Sequence, residues 1–286
     1  MEAYRPLQPP MLQIGLTDAD YRYREYEPCE ALRPYVACYW TVDVRAPVGS
    51  GRHRVIPDGC VDIMLELGRL PRGGLGAFAA GLMTGFDTPE LGAERSVFGI
   101  RFYAETAARF LRHPVAGLAS DPVPLDALWG GEAALLLEEA RGARGIADVI
   151  GRVQRRLTAL PQRAALETDT LIRSGLRLMH ASRGCLAASD LAAHYHWSER
   201  NVRRIFKREL GVGPKKLLGI LRFQYALQAL RRGIPAKRVE AALTHGYYDE
   251  SHFAADFRRL YGLPPRLVFD GQSRPFSTSG LGAEAR

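Results

Sequence analysis

The chain has 286 residues, 47% of them hydrophobic, which is enough for two ordinary domains that each bury a core. It has no run of about 20 apolar residues and no basic start followed by an apolar stretch, so we expect neither a membrane span nor a signal peptide. The net charge is +8, and the whole excess lies in residues 167–270, which hold 18 of the 39 basic and 10 of the 31 acidic residues. A segregated basic segment is typical of a protein that binds a polyanion, although a solvated surface can have the same composition.

Cysteine spacing indicates the redox compartment. Cys29, Cys38, Cys60 and Cys185 lie far apart, and none of them forms a C-x-x-C pair. This distribution is typical of reduced thiols and argues against a disulfide framework or a zinc knuckle. We therefore expect a cytoplasmic protein.

Strands are predicted in the N-terminal part of the chain. Residues 1–20 contain Pro6, Pro9 and Pro10, and we expect a loosely ordered lead there. A β-rich domain is predicted over 21–130, because short runs of β-branched and aromatic residues alternate with Gly and Pro. The strands predicted within it are 35–42, 61–67 and 96–103.

Helices are predicted after this region, at 106–111 and then at 132–141 and 146–160. We interpret 131–166 as a helical connector. Its last helix carries an apolar stripe that either packs on its own domain or forms a dimer seam, and the sequence favours neither. The stripe consists of Ile146, Val149, Ile150, Val153 and Leu157.

The basic segment 167–270 contains a pattern of short, well-delimited helices. After an amphipathic helix at 171–180, Ser189 and Asp190 are predicted to cap a short helix at 191–195. His196 and Trp197 form a turn, Ser198 caps the next helix, and Gly211 ends it. Two short helices joined by a tight turn predict a helix-turn-helix.

The second of these helices has the composition of a recognition helix. Its inner face is apolar, and its outer face carries Arg200, Asn201, Arg203 and Arg204, with Lys207 further along. Arginine suits guanine and asparagine suits adenine in the major groove, whereas we expect Lys207 to contact phosphate. A plain solvent-exposed basic helix is the alternative.

The arrangement recurs after a long helix predicted at 214–232. A helix at 235–243, a turn, a cap at Asp249 and a helix at 250–261 that ends at Gly262 form a second unit. Two such units can bind two adjacent major grooves of double-stranded DNA. The outer face of the second candidate recognition helix offers Ser251, His252, Arg258 and Arg259.

A family resemblance lies in these same residues. The stretch 246–265, GYYDESHFAADFRRLYGLPP, resembles the signature of the AraC/XylS family of transcriptional regulators, and 190–214 resembles the first unit of that family. The resemblance implies an all-α domain of seven helices with two helix-turn-helix units. It also implies that Arg200, Arg203 and Arg204 read bases. Ala255 departs from the polar residue that many members carry there, so we expect the second unit to position more than it specifies.

The N-terminal part is similar to the sensor-like domain of some AraC-type regulators, in the segments 34–40, 55–62 and 98–102. That resemblance implies a small β-barrel or cupin-like domain with trailing helices, used for signal input or dimerisation. The fold class is therefore α+β, and the tail at 271–286 is expected to be disordered.

The N-terminal part offers few residues for chemistry. His53 and His113 lie too far apart in sequence for a cupin-type metal centre, so no metal, cofactor or catalytic residue is expected. Cys38 or Cys60 could be a reactive thiol, but no adjacent base is evident and core packing is favoured. An effector pocket could involve Tyr39, Trp40, Arg101 and Tyr103, although alternation puts some of them on opposite faces.

The sequence thus predicts a sequence-specific transcriptional regulator rather than an enzyme. Its expected partners are double-stranded DNA, RNA polymerase, a small-molecule effector and a second copy of the chain. A DNA-tethered repair-type enzyme and a ligand-independent regulator are the alternatives.

Overall fold

The computed structural model describes eight segments of the chain, namely residues 4–9, 21–44, 54–68, 75–89, 95–119, 121–160, 167–231 and 246–269. The N-terminal part is built on one antiparallel sheet of six strands in the order β1-β2-β5-β3-β4-β6. The predicted strands are present with small shifts of their ends. The strands are β1 Tyr21–Tyr26, β2 Val36–Val44, β3 Cys60–Glu66, β4 Ala77–Ala80, β5 Arg95–Tyr103 and β6 Val123–Pro124.

The sheet is open rather than a barrel within the described residues. The edge strands β1 and β6 each pair on one side only, with β2 and β4 respectively. The predicted antiparallel β domain with helices after it is confirmed, but closure into a small barrel is not observed among these strands. Helices cover one of its faces instead of further strands.

The two faces of the sheet have different partners, because side chains alternate along each strand. One face, the core face, carries Tyr39, Phe98, Ile100 and Ile63, all fully buried. Phe102 on this face packs 5.0 Å, ring to ring, from a helical phenylalanine, Phe110. The opposite face, the cavity face, carries Trp40, Val42, Asp62, Met64, Val97 and Arg101.

Helices follow the sheet and close its core face. They are α1 Ala104–Leu111, α2 Leu125–Trp129, α3 Gly131–Arg141 and α4 Ile146–Ala159, with a 3-10 turn at Val115–Leu118. The apolar stripe of α4 packs inside the chain, since Val149, Val153 and Leu157 are buried in the same core as the sheet. The stripe therefore packs on its own domain, and the alternative prediction that it forms a dimer seam is wrong.

The C-terminal part is helical, as predicted. Its described helices are α5 Glu167–Ala181, α6 Ala188–His194, α7 Glu199–Leu210, α8 Pro214–Arg231, α9 Glu250–Tyr261 and α10 Pro265–Phe269. The helix predicted at 235–243 and the tail at 271–286 lie outside the described residues. No helix of the described segments combines the length and hydropathy needed to cross a bilayer.

Residues 4–9 differ from the loose lead that the prolines predicted. The Tyr4 hydroxyl donates to the Asp58 carbonyl at 2.7 Å, and the Tyr4 ring lies 4.5 Å from that of His180. Leu7 is buried and its backbone N–H donates to the Gln224 side chain at 2.8 Å. Prolines limit regular structure but leave the other side chains free to pack, and here they pack between the two parts of the chain.

Candidate nucleic-acid interface and the adjoining cavity

Helix α7 is the first candidate recognition helix (recognition helix 1), and both of its predicted ends are present. The Ser198 hydroxyl accepts a hydrogen bond from the Asn201 N–H at 3.3 Å, which satisfies one of the free donors of the first turn. Gly211 ends the helix with φ of 76°, a conformation that only glycine adopts without strain. The inner face is buried through Val202, Ile205, Phe206 and Leu210.

The helix before it begins earlier than predicted. The first helical residue of α6 is Ala188, so Ser189 and Asp190 lie inside the helix and the predicted cap is wrong. The Asp190 carboxylate nevertheless accepts the N–H of Ala187 at 3.1 Å. The acid therefore still stabilises this end, from the third position of the first turn.

All five predicted DNA-binding residues of recognition helix 1 are exposed. Some of them also make contacts within the chain. Arg204 contacts the Asn201 side-chain oxygen at 3.3 Å, one turn away on the same helix. Lys207 also borders a cavity inside the chain, which the sequence did not indicate. The exposed residues are Arg200, Asn201, Arg203, Arg204 and Lys207.

Recognition helix 2 is α9, and it repeats the same end structure. The Asp249 carboxylate accepts the His252 N–H at 2.7 Å, and Gly262 ends the helix with φ of 83°. Phe253, Phe257 and Leu260 are buried beneath it. Both units therefore present a recognition helix with a polar N-cap and a glycine at its C-terminal end.

The outer face of recognition helix 2 is less basic. Ser251, His252, Arg258 and Arg259 are exposed, as is Ala255. Arg259 is held by its own helix, because its Nη2 donates to Asp256 Oδ1 at 2.9 Å. That ion pair neutralises part of the positive charge on the outer face of this helix.

An aromatic residue precedes each N-cap, in the turn between the two helices of each unit. Trp197 stands before Ser198 and is 43% exposed, and Tyr248 stands before Asp249 and is 87% exposed. Large exposed aromatic side chains beside a recognition helix are able to pack on a DNA backbone. The sequence pattern predicted a turn at each of these positions and no role for either ring.

A buried polar cluster lies on the cavity face of the sheet. Arg101, whose side chain is 3% exposed, donates from Nε to Asp62 Oδ1 at 3.2 Å and lies 3.2 Å from Asp58 Oδ2. The Trp40 indole N–H donates to the same Asp62 oxygen at 2.8 Å. Glu25 lies behind them, 3.7 Å from Arg101 Nη1. We call these residues, Asp58, Asp62, Glu25 and Arg101, the carboxylate cluster.

The electrostatics of the carboxylate cluster follow from its burial. Burial raises the pKa of Asp62, and the nearby Asp58 charge raises it further, while Arg101 lowers it. Asp58 is fully engaged, because its carboxylate accepts the Cys60 N–H and the Gln8 side-chain amide, both at 2.9 Å. Asp62 Oδ2, in contrast, receives no hydrogen bond from a described residue.

A cavity of about 710 Å³ lies between the cavity face and the C-terminal part. Its inner wall contains Trp40 and Arg101, which the sequence suggested, and also Asp62. Tyr39 and Tyr103, which the sequence also suggested, do not line it. Tyr39 lies on the core face, stacked on Phe98. The outer wall includes Lys207, Gly211, Val212 and Lys216 of the C-terminal part, and the remaining aromatic lining is Tyr23, Phe78 and Phe86.

Gly99 makes room for the indole of Trp40. The two residues are paired across strands β2 and β5, and a Cβ at Gly99 would overlap the Trp40 ring. The indole therefore lies flat across the β5 backbone. A flat aromatic surface is thereby exposed to the cavity at its inner end.

The N-terminal part touches the C-terminal end of each recognition helix. A Cβ on Gly211 would lie 2.9 Å from the Cβ of Ala119, just after the 3-10 turn. At the other unit, a Cβ on Gly262 would lie 2.6 Å from the Phe86 ring. We call these two contacts the helix-end contacts.

Arg54 strengthens the contact with recognition helix 2. Its guanidinium lies 5.2 Å from the Phe86 ring centre and 5.5 Å from that of Tyr261, and it donates to the Tyr261 carbonyl. Burial lowers the pKa of Arg54, which has no carboxylate partner among the described residues. The negative end of the helix dipole and two ring faces thus stabilise this cation.

Comparison with known families agrees with this geometry. Residues 191–270 match the model of a helix-turn-helix domain, and both recognition helices lie in this range. The C-terminal domain is an AraC-type helix-turn-helix domain. The AraC-type domain is preceded by residues 24–124, which match a domain of unknown function (DUF6597). That second match covers the sheet and leaves its role open.

Individual relatives are distant. Over 146 residues the chain is 27% identical to the HTH-type transcriptional regulator MtrA of Neisseria gonorrhoeae, a match that covers 46% of this chain and 48% of that protein. The chain thus spans about half the length of this curated relative.

Among solved structures, apo ToxT from Vibrio cholerae aligns with a TM-score of 0.40 at 10% identity, covering 87% of this chain and 96% of that one. ToxT with a bound unsaturated fatty acid aligns with a TM-score of 0.37 at 11% identity, covering 87% and 94%.

Proposed function

We propose that the chain is a sequence-specific, non-enzymatic transcriptional regulator that binds two adjacent major grooves and senses a small molecule with its N-terminal domain. The observation that carries the proposal is the repetition of one arrangement, a capped recognition helix ended by glycine, in both units of the AraC-type domain. Such a pair suits successive grooves on one side of the duplex, about 34 Å apart.

The roles within the interface follow from side-chain chemistry. Arg200, Arg203 and Arg204 are proposed to read bases, since a guanidinium can donate to guanine O6 and N7 together. Lys207 is proposed to contact phosphate. Recognition helix 2 is proposed to position more than it specifies, because Ala255 offers no hydrogen bond and Arg259 is paired with Asp256.

Effector sensing is favoured over a purely dimerising N-terminal domain. The cavity of about 710 Å³ lies within the range of small-molecule sites and is bordered by Lys207 of recognition helix 1. An occupant would therefore contact both the sensor sheet and a recognition helix. A homodimer and contact with RNA polymerase remain part of the proposal, and the dimer would use a surface other than the buried stripe of α4.

The enzymatic alternative has little support in the described residues. Burial raises the pKa of both the Cys38 and the Cys60 thiol, which disfavours the reactive thiolate. No group of three or more His, Cys, Asp or Glu side chains is arranged to hold a metal ion in the part of the chain that the structure describes.

Selection from a random DNA library at near-physiological salt tests the proposal. We expect an enriched motif with two blocks about one helical turn apart. A single block would mean that recognition helix 2 only positions the protein. Absence of any enrichment, with binding lost as salt rises, would contradict sequence-specific regulation.

Two variants of one helix separate base reading from phosphate contact. Arg203→Ala is expected to cost about 1–3 kcal/mol of binding free energy and to relax preference at one position. Lys207→Ala is expected to weaken all sequences alike and to reduce the slope of log affinity against log salt by about 1. Unchanged affinity and preference in Arg203→Ala would show that the reading face is wrongly assigned.

A further inference from the structure

The inner end of the cavity carries an excess of negative charge. Three carboxylates, Asp58, Asp62 and Glu25, surround the single guanidinium of Arg101. Buried charge is costly unless it is balanced, and one cation balances only one of these three groups. Among the described residues, the carboxylate cluster therefore has an incomplete set of counter-charges.

The two described arginines at the cavity face, Arg95 and Arg101, are both paired with carboxylates. Arg101 is engaged by the carboxylate cluster, and Arg95 is paired with the buried carboxylate of Glu66. The remaining cations of the lining, Lys207 and Lys216, are exposed and lie at the outer wall. An anionic group would therefore be confined to the outer end of the cavity.

Asp62 is the carboxylate that can accept a ligand. Its Oδ1 already receives Trp40 and Arg101, while Oδ2 has no described donor and the side chain is 19% exposed where it borders the cavity. Burial removes water from the Asp62 carboxylate and raises its pKa. A positive charge beside Oδ2 would stabilise the ionised carboxylate and offset this effect.

The walls beside Asp62 are aromatic and apolar. The Tyr23 and Trp40 rings stack with centroids 6.3 Å apart, and Phe78 lies on β4, which pairs with β3, the strand that carries Asp62. Aromatic faces attract cations and also stabilise flat apolar groups. Met64 and Val97 complete an apolar surface between these rings.

We propose that the cavity binds an aromatic or bulky apolar compound that carries one positive charge, with Asp62 as its counter-ion and Trp40 and Tyr23 as its stacking surface. The proposal rests on the regulator function above and adds the chemical class of the effector. The ligand lies against the sheet at its charged end and reaches towards Lys207 and Gly211 at its apolar end.

Three probes of one size distinguish the alternatives. They are 1-naphthylmethylammonium, 1-naphthylmethanol and 1-naphthoate, which share a ring system and differ in charge. Calorimetric titration of the full chain is expected to give tightest binding for the ammonium probe. Tighter binding of the naphthoate, equal binding of the ammonium and the alcohol, or no ammonium binding up to about 1 mM would each overturn the proposal.

Asp62→Asn tests the counter-ion directly. The amide keeps Oδ1, so it retains the acceptor for Trp40 and Arg101 and replaces only the free oxygen. We expect a loss of about 10- to 100-fold in affinity for the ammonium probe and less than about 3-fold for the alcohol. The matched control is Asp121→Asn at the exposed rim, which should change neither. Equal losses in the two variants would overturn the assignment.

Ala80→Phe gives a second test that is independent of charge. Ala80 borders the cavity on β4, opposite Asp62 in the strand pairing. A phenyl ring there occupies the ligand volume, so all three probes should lose binding while circular dichroism stays unchanged. Retained ammonium binding would place the ligand elsewhere.

DNA selection in the absence of probe separates this proposal from the regulator function. The unsubstituted chain is expected to select its motif without any probe. An intact motif without ammonium binding overturns the ligand class alone, whereas loss of any motif in the unsubstituted chain overturns the function itself.

Discussion

Gln224 of helix α8 joins the two parts of the chain, and its removal should be costly. Its side chain is fully buried, accepts the Leu7 N–H at 2.8 Å, and donates to the Leu7 carbonyl at 3.1 Å and the Pro57 carbonyl at 2.8 Å. Gln224→Leu keeps the approximate volume but leaves three buried backbone groups without partners.

The magnitude follows from those three groups. An unpaired buried donor or acceptor costs about 1–3 kcal/mol, and the added apolar surface of leucine offsets part of that cost. We expect Gln224→Leu to lower the free energy of unfolding by about 3–5 kcal/mol, which is a large part of the ~5–15 kcal/mol of a native protein.

Gln228→Leu, one turn along the same helix, is the matched control. Gln228 makes a single hydrogen bond to a described residue, the exposed one to the Arg5 carbonyl at 2.6 Å, so its loss should cost less than about 1 kcal/mol. Urea unfolding followed by tryptophan fluorescence and circular dichroism gives both values, and hydrogen exchange reports the Leu7 amide. Equal stability of the two variants, or unchanged protection of Leu7, would refute the reasoning.

Three further predictions concern stability. Burial lowers the pKa of His180 to about 4, so between that pH and about 6.5 the unfolded chain binds a proton that the folded chain excludes. About 3 kcal/mol of stability should therefore be lost as pH falls from about 6.5 towards 4. Urea unfolding should show a steeper loss of stability for the unsubstituted chain than for His180→Gln. Ser198→Ala and Asp249→Ala each remove an N-cap and should cost about 1 kcal/mol in thermal unfolding, and an unaffected variant would show that its cap contributes nothing. Gly99→Ala forces the Trp40 indole to move and should cost about 1–3 kcal/mol, with a shift of tryptophan emission, and an unshifted spectrum would contradict the close packing of the pair.

Local features of the AraC-type domain were predictable from sequence. Ser198 with Gly211 and Asp249 with Gly262 delimit the recognition helices through bonds and torsions within a few residues of each other. These interactions depend only on residues close in sequence, so the sequence pattern is enough to predict where each helix begins and ends. The start of α6 at Ala188 was missed because two adjacent polar residues can each stabilise a helix end.

Long-range features were not predictable. The carboxylate cluster joins Glu25, Asp58, Asp62 and Arg101 from three strands and a turn, and their meeting depends on the order of strands in the sheet. Tyr4 packs against His180 across most of the chain. Sequence periodicity gives the face on which a residue lies but not its partner, which is why Arg101 was only a candidate pocket residue.

The helix-end contacts bear on how such regulators can be recombined. Because the N-terminal part meets Gly211 through Ala119 and Gly262 through Phe86 and Arg54, the sensor and the DNA-binding domain are fitted to each other at two separate points. A hybrid made by exchanging sensors at the 160–167 junction would bring foreign surfaces to both points. Functional hybrids should therefore require that the segments around residues 54, 86 and 119 come from the same parent as the DNA-binding domain, and substitutions in those segments should be correlated with substitutions at the ends of the recognition helices.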